Sequence, residues 1–208
     1  MVNDLDDDQE IDIWLRLYAC GANCSEQDQI LFYDPESDTY ASTELLSRGK
    51  IELINYQNGD SSKKIFITQD ESFIYIFSKP VTGIGPIQIF EYKDKIFQDI
   101  TKKYPQIVEE DGKYWEARLK NVDVDLSEEY SQLTGIQRHT TREILDENNE
   151  MALQTLYLVS YIADMCLIDN CEKGWELLYS NCAEENIESC KRFEESIKLA
   201  LETRKVYE

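Results

Sequence analysis

Between residues 11 and 18 the chain alternates. Ile11, Ile13, Leu15 and Leu17 fall on one side of an extended backbone, and Asp12, Trp14, Arg16 and Tyr18 on the other. A period of two is the mark of a β-strand, whose successive side chains point to opposite faces. Comparable runs fill the first hundred residues: QILFYD, TYAS, KIELINY, KKIFIT, SFIYIFS, PIQIFEY and KIFQDI. Turn-forming residues separate them, most clearly Asp34-Pro35 and the Asn58-Gly59-Asp60 cluster. The pattern predicts about eight short strands joined mostly by hairpins, which is an antiparallel meander.

The runs also repeat. QILFYDPESDTYAST, from Gln29, is echoed by IQIFEYKDKIFQDIT, from Ile87, and DLDDDQEIDIWL, from Asp4, by YQNGDSSKKIFI, from Tyr56. The unit is about fifty residues and four strands long, the size of a propeller blade. Two such units cannot close a propeller, which takes roughly four to eight blades, so another part of the chain must cover the faces left open.

After residue 100 the period changes. ITKKYPQIVEEDGKYWEARLKN breaks at Pro105 and is expected to cap the sheet. Residues 122–137 read as an irregular acidic linker. From Thr140 the three-and-four step of a helix dominates: Leu153, Leu156, Tyr157, Ser160, Ala163, Asp164 and Leu167 share one face. The nearly apolar run 151–168 carries Gln154, Ser160 and Asp164 and lacks basic flanks, so it reads as a buried core helix rather than a membrane span. WELLYSNC, from Trp175, predicts a short helix. ENIESCKRFEESIKLALETRK predicts a longer one, acidic early and basic late, with Ile187, Phe193, Ile197 and Leu201 as its apolar stripe. The expected fold is α+β: an antiparallel β domain of two blade-like repeats over 1–105, packed against a helical region over 106–208.

Charge narrows the partners. The formal net charge of -21 over 208 residues repels phosphate and anionic lipid surfaces, so neither nucleic acid nor membrane insertion is expected. Cations and basic proteins are favoured. The six cysteines, Cys20, Cys24, Cys166, Cys171, Cys182 and Cys190, contain no CxxC and stand beside a single histidine, which disfavours a zinc site. Their even, locally clustered arrangement fits disulfides in an oxidising compartment. Cys20 and Cys24 could close a small loop. Antiparallel helices could bring Cys171 to Cys190, with Cys182 competing for either partner, and the connectivity stays open. The chain starts without a basic, apolar leader, so an extracytoplasmic protein would be represented by its mature form.

The acidic stretch before the first strand carries the most specific chemistry. Asp4, Asp6, Asp8 and Asp12 sit two, two and four residues apart. Alternate carboxylates in a tight loop can converge on one hard cation, with the Glu10 carbonyl next in the series and Asp12 closing it from the strand. DLDDDQEIDI resembles the D-x-N/D-G-D-G-x-x-D-hydrophobic loop of FG-GAP or VCBS repeats, the blades of integrin-alpha-like propellers, and the likeness spans roughly residues 2–105. The resemblance implies a calcium ion held by Asp4, Asp6, Asp8, Glu10 and Asp12, export, and a role in adhesion or scaffolding. Asp7 and Gln9 replace the usual glycines of that loop, and the second departure is sharper because glycine there eases the turn. In the second copy, Tyr56 and Lys64 replace two ligands, so that copy is expected to hold no metal, with Lys64 supplying the positive charge instead. Short bacterial secreted proteins that carry degenerate repeats of this type ahead of a helical tail are similar as well. A lone loop of this kind is expected to bind weakly, about 10⁻⁴–10⁻³ M.

Other features read as structural. His139 lies in the polar stretch GIQRHTTRE, with no serine or cysteine nucleophile at a recognisable spacing. Gly83-Ile84-Gly85-Pro86 lacks the helix and lysine of a phosphate loop and reads as a hairpin turn. SFIYIF, greasy on both faces, is the expected contact surface of the first half. The sequence therefore predicts a non-catalytic, exported binding or scaffold module with a calcium-stabilised loop and a protein partner. Two other readings accompany it: an acidic inhibitor or mimic of a basic protein, and a hydrolase whose site is not recognisable.

Overall fold

The alternating runs fold as two consecutive four-stranded antiparallel meanders. The computed structural model describes the chain apart from residues 7, 20–24, 48–49, 59–60, 71–72, 74–83, 121–146 and 206–208. In the first sheet, β1 (Val2–Asn3), β2 (Asp12–Ala19), β3 (Ser25–Asp34) and β4 (Thr39–Ser47) lie side by side in chain order. The second sheet repeats that order with β5 (Glu52–Asn58), β6 (Ser61–Gln69), β7 (Ile87–Lys93) and β8 (Ile96–Asp99). Register follows from the turns. Asp94 and Lys95 both adopt positive φ, so the β7–β8 hairpin closes in two residues and sets Lys93 opposite Ile96.

The central strands of the second sheet bury apolar residues on both faces because both are covered. Leu53, Phe66, Phe90, Tyr92 and Phe97 point to the first sheet, where they meet Trp14, Ile30 and Leu45. Trp14 and Phe66 pack edge to face at 5.5 Å. The alternate residues Ile65, Ile67, Ile87 and Ile89 point the other way, onto Tyr104, Ile107 and Val108. Pro105 opens helix α1 (Pro105–Leu119), where its missing N–H costs no hydrogen bond. α1 is thus the cap on the sheet that the break at Pro105 predicts.

The helical layer centres on α2 (Glu147–Leu167), flanked by α1, by α3 (Cys171–Ser180) and by α4 (Ile187–Lys205). Leu156, Ser160, Ala163 and Asp164, on the predicted face, are fully buried. Asp164 accepts a hydrogen bond from the Ile87 amide at 3.0 Å and so fastens the helix layer to the second sheet. Among the described residues no helix is long and apolar enough to cross a membrane. Disulfides join Cys166 to Cys171 and Cys182 to Cys190, at sequence separations of 5 and 8. The considered Cys171–Cys190 pairing is not formed. Each helix-to-helix turn instead brings its own nearest cysteines together, with Cys166 and Cys171 only 4.2 Å apart at Cα. Cys20, Cys24, His139 and the expected 122–137 linker lie outside the described residues. Of SFIYIF only Phe73 is described, and it is buried in the helical core rather than free for a partner.

Candidate metal loop

The eight residues between β1 and β2 cross the edge of the first sheet as an acidic loop. Leu5 anchors it: only 3% exposed, it inserts into the core between the two sheets. Its amide donates to Asp12 Oδ2 at 2.9 Å, which ties the loop back to the first residue of β2. Further along, the Gln9 amide donates to Asp4 at 3.0 Å and the Glu10 amide to Asp8 at 2.7 Å. Gln9 takes a left-handed conformation, φ 72°. The turn therefore has the geometry that glycine would adopt freely, and a glutamine accepts it at a cost of about 1 kcal/mol.

These constraints converge the side chains. Asp4, Asp6 and Asp8 each offer a carboxylate oxygen, and the three lie within 4.8 Å of one another. Asp4 Oδ1, Asp6 Oδ1 and Glu10 Oε2 are buried without hydrogen-bond partners. Burial, followed by the charges of Asp8, Asp12 and Asp4, pushes the Asp6 carboxyl above its ordinary value. Asp12 is also raised. Burial is the main cause, the Leu5 amide partly offsets it, and Asp8 and Asp4 add to it. Like charges gathered in a half-dry loop repel one another, and a small cation bound by oxygen is the chemistry that would relieve them.

Of the five predicted ligands, Asp4, Asp6 and Asp8 are brought together. Asp12 lies near enough to act on Asp6 electrostatically, but its carboxylate is engaged with the loop backbone. Glu10 offers a buried side-chain oxygen where the sequence suggested its carbonyl. Tyr92, on β7, is the residue that sequence reasoning missed. It is 2% exposed, and its phenol is pushed upward by burial and then by Asp12, Asp6 and Asp8. No local pattern could have found it, because it reaches the loop only through the stacking of the two sheets.

The second copy of the motif is built differently. Tyr56 pairs with Lys63 and Asn58 with Ser61 across a hairpin, so most of that stretch is strand rather than loop. Lys64, expected in the cation position of that copy, sits opposite Asn55 in β6, and its ammonium donates to the Asp4 carbonyl of the first loop. No known family model, curated protein or solved structure matches the chain.

Proposed function

We propose that this chain is a non-catalytic binding module of an oxidising, extracytoplasmic setting, and that calcium stabilises its β1–β2 loop. The observation that carries the metal reading is the convergence of Asp4, Asp6 and Asp8, with Oδ1 of Asp4 and of Asp6 buried and without hydrogen-bond partners. The likeness of DLDDDQEIDI to the calcium loop of FG-GAP repeats supports the same ion, as does the left-handed turn at Gln9. In this reading Asp4, Asp6 and Asp8 supply the first ligands, Glu10 and Asp12 complete the shell, and the ion offsets both the burial and the repulsion that raise Asp6. The two disulfides suit an oxidising compartment. A net charge of -21 directs the module toward basic protein partners.

The test is a thermal melt in calcium against the same melt in chelator, for the wild type and Asp8→Ala. At tenfold excess over the dissociation constant, calcium is expected to stabilise the wild type by about 1.4 kcal/mol. Asp8→Ala is expected to abolish that gain while leaving the chelator melt within about 0.5 kcal/mol, as for other surface substitutions. A wild-type midpoint that ignores calcium at millimolar concentration would reduce the loop to a solvated acidic turn.

A further inference from the structure

α1 and α3 both pack on α2, and a groove lies between them. Two glycines set its depth. A Cβ at Gly112 would come within 2.4 Å of Met165 Cε, and one at Gly174 within 3.1 Å of the Ile162 backbone. Both flanking helices therefore sit down closely on α2, as their glycines allow. The groove holds a cavity of about 490 Å³. Tyr161 and Met165 of α2 form its floor, and Leu177 adds an apolar wall. Glu109 and Glu116, seven residues apart on one face of α1, stand on one side and Glu176 of α3 on the other.

Tyr161 is the telling residue. Its side chain is 6% exposed and lines the cavity, and its hydroxyl has no hydrogen-bond partner among the described residues. The three glutamates that line the cavity also set the field at that hydroxyl and, after burial, raise its pKa. Glu109 and Glu176 have no ion pair among the described residues. The two lysines of the groove, Lys113 and Lys173, are exposed at its rim, and Lys113 bonds Glu110 on its own helix. The groove thus has an apolar floor, a free acceptor oxygen and carboxylates around it.

We propose that this groove receives a basic side chain, a lysine or arginine, presented by a protein partner. The aliphatic stem lies along Met165 and Leu177, and the cationic head donates hydrogen bonds to the Tyr161 oxygen and the carboxylates of Glu109 and Glu176, with Glu116, already paired with Lys120, adding to the field. This rests on the binding-module reading but not on its metal. Calcium dependence of the melt can fail while the groove still binds, and the converse.

The test measures binding of fluorescein-labelled hexalysine to the full chain at low salt. Tyr161→Phe keeps the ring and removes only a hydroxyl that bonds none of the described residues, so the fold is expected to be preserved. Tyr161→Phe and Glu176→Gln are each expected to weaken binding at least about fivefold. Glu202→Gln, the same charge change on an exposed turn of α4, is expected to change it less than about twofold. Hexalysine acetylated on every side chain should not compete. Equal losses for Glu176→Gln and Glu202→Gln would mean diffuse attraction to an acidic surface and overturn the proposal. Displacement by free cadaverine as effective as by hexalysine would overturn it too, by making the groove a small-amine site rather than a seat for a partner.

Discussion

The two sheets share a strand order and differ in what covers them. The second is buried on both faces, between the first sheet and the helices, and consecutive residues such as Ile65, Phe66 and Ile67 of β6 are all buried. The first is buried on one face only. Its covered face holds Trp14, Ile30 and Leu45, but also the Arg16–Asp28 ion pair, with Asp28 fully buried. Its open face shows Leu15 and Leu17, 37% and 43% exposed. The same repeat therefore serves as a structural centre in one copy and as a more polar, tunable surface in the other. The acidic loop belongs to the tunable copy, while the corresponding stretch of the central copy has been absorbed into the β5–β6 hairpin.

The sharpest way to break that comparison is to truncate equivalent-looking apolar residues in the two sheets. Phe66→Ala opens a cavity at the contact between the sheets and is expected to cost about 3–5 kcal/mol in chemical denaturation. Leu15→Ala removes a half-exposed side chain and is expected to cost less than about 1 kcal/mol. Similar losses at the two positions would mean that something covers the open face in solution.

Arg16→Met tests the polar interior of the first sheet. Arg16 lies 3.3 Å from Asp28 and also donates to the Ile51 carbonyl, so its loss strands a buried carboxylate. The expected cost is about 2–3 kcal/mol, reduced from that of a fully buried pair because Arg16 is partly solvated. Adding Asp28→Leu to Arg16→Met should return most of that stability, since an apolar pair of similar size removes the stranded charge. If the double variant is no better than the single, the Ile51 contact rather than the ion pair fastens the sheets.

The smallest effect is at the loop, and its sign depends on the metal. Asp6 has a folded-state pKa above its ordinary value, so folding is favoured while the group is protonated, and this advantage is lost as pH rises through the folded value. In chelator at neutral pH, Asp6→Asn should therefore raise the melting midpoint, and the gain should shrink as pH falls into the carboxylate range. In saturating calcium the same substitution should lower the midpoint. A substitution that lowers it under both conditions would show that Asp6 serves the turn rather than an ion.

Much of the architecture was legible because each layer is written in local sequence. The two-residue period marked most of the strands, and the three-and-four step marked the face of α2 that carries Leu156, Ser160 and Asp164. What sequence could not convey was which side of β2 is inside. Hydropathy favours the side of Ile13, Leu15 and Leu17, yet Asp12 and Trp14 are the buried residues. That choice is made by the second sheet, whose Phe66 and Tyr92 receive the indole. In the same way the aspartate spacing announced Asp4, Asp6 and Asp8, whereas Tyr92 joins them only through sheet stacking. The cysteine pairs were left open for a related reason. Count and spacing allow several partners, and the tight turns between α2, α3 and α4 select one.

Those turns bear on how the chain reaches its fold. Strand pairing in each sheet runs only between consecutive strands, and both disulfides close across fewer than ten residues. Short loops close quickly and at little entropic cost, so each sheet and each cysteine pair can form as soon as its own segment is available. Only the stacking of finished layers must wait for distant sequence, as when Asp164 meets the Ile87 amide. A chain delivered from its N-terminus could thus complete its layers one at a time. Its nearest-neighbour thiols would oxidise correctly without a later round of reshuffling.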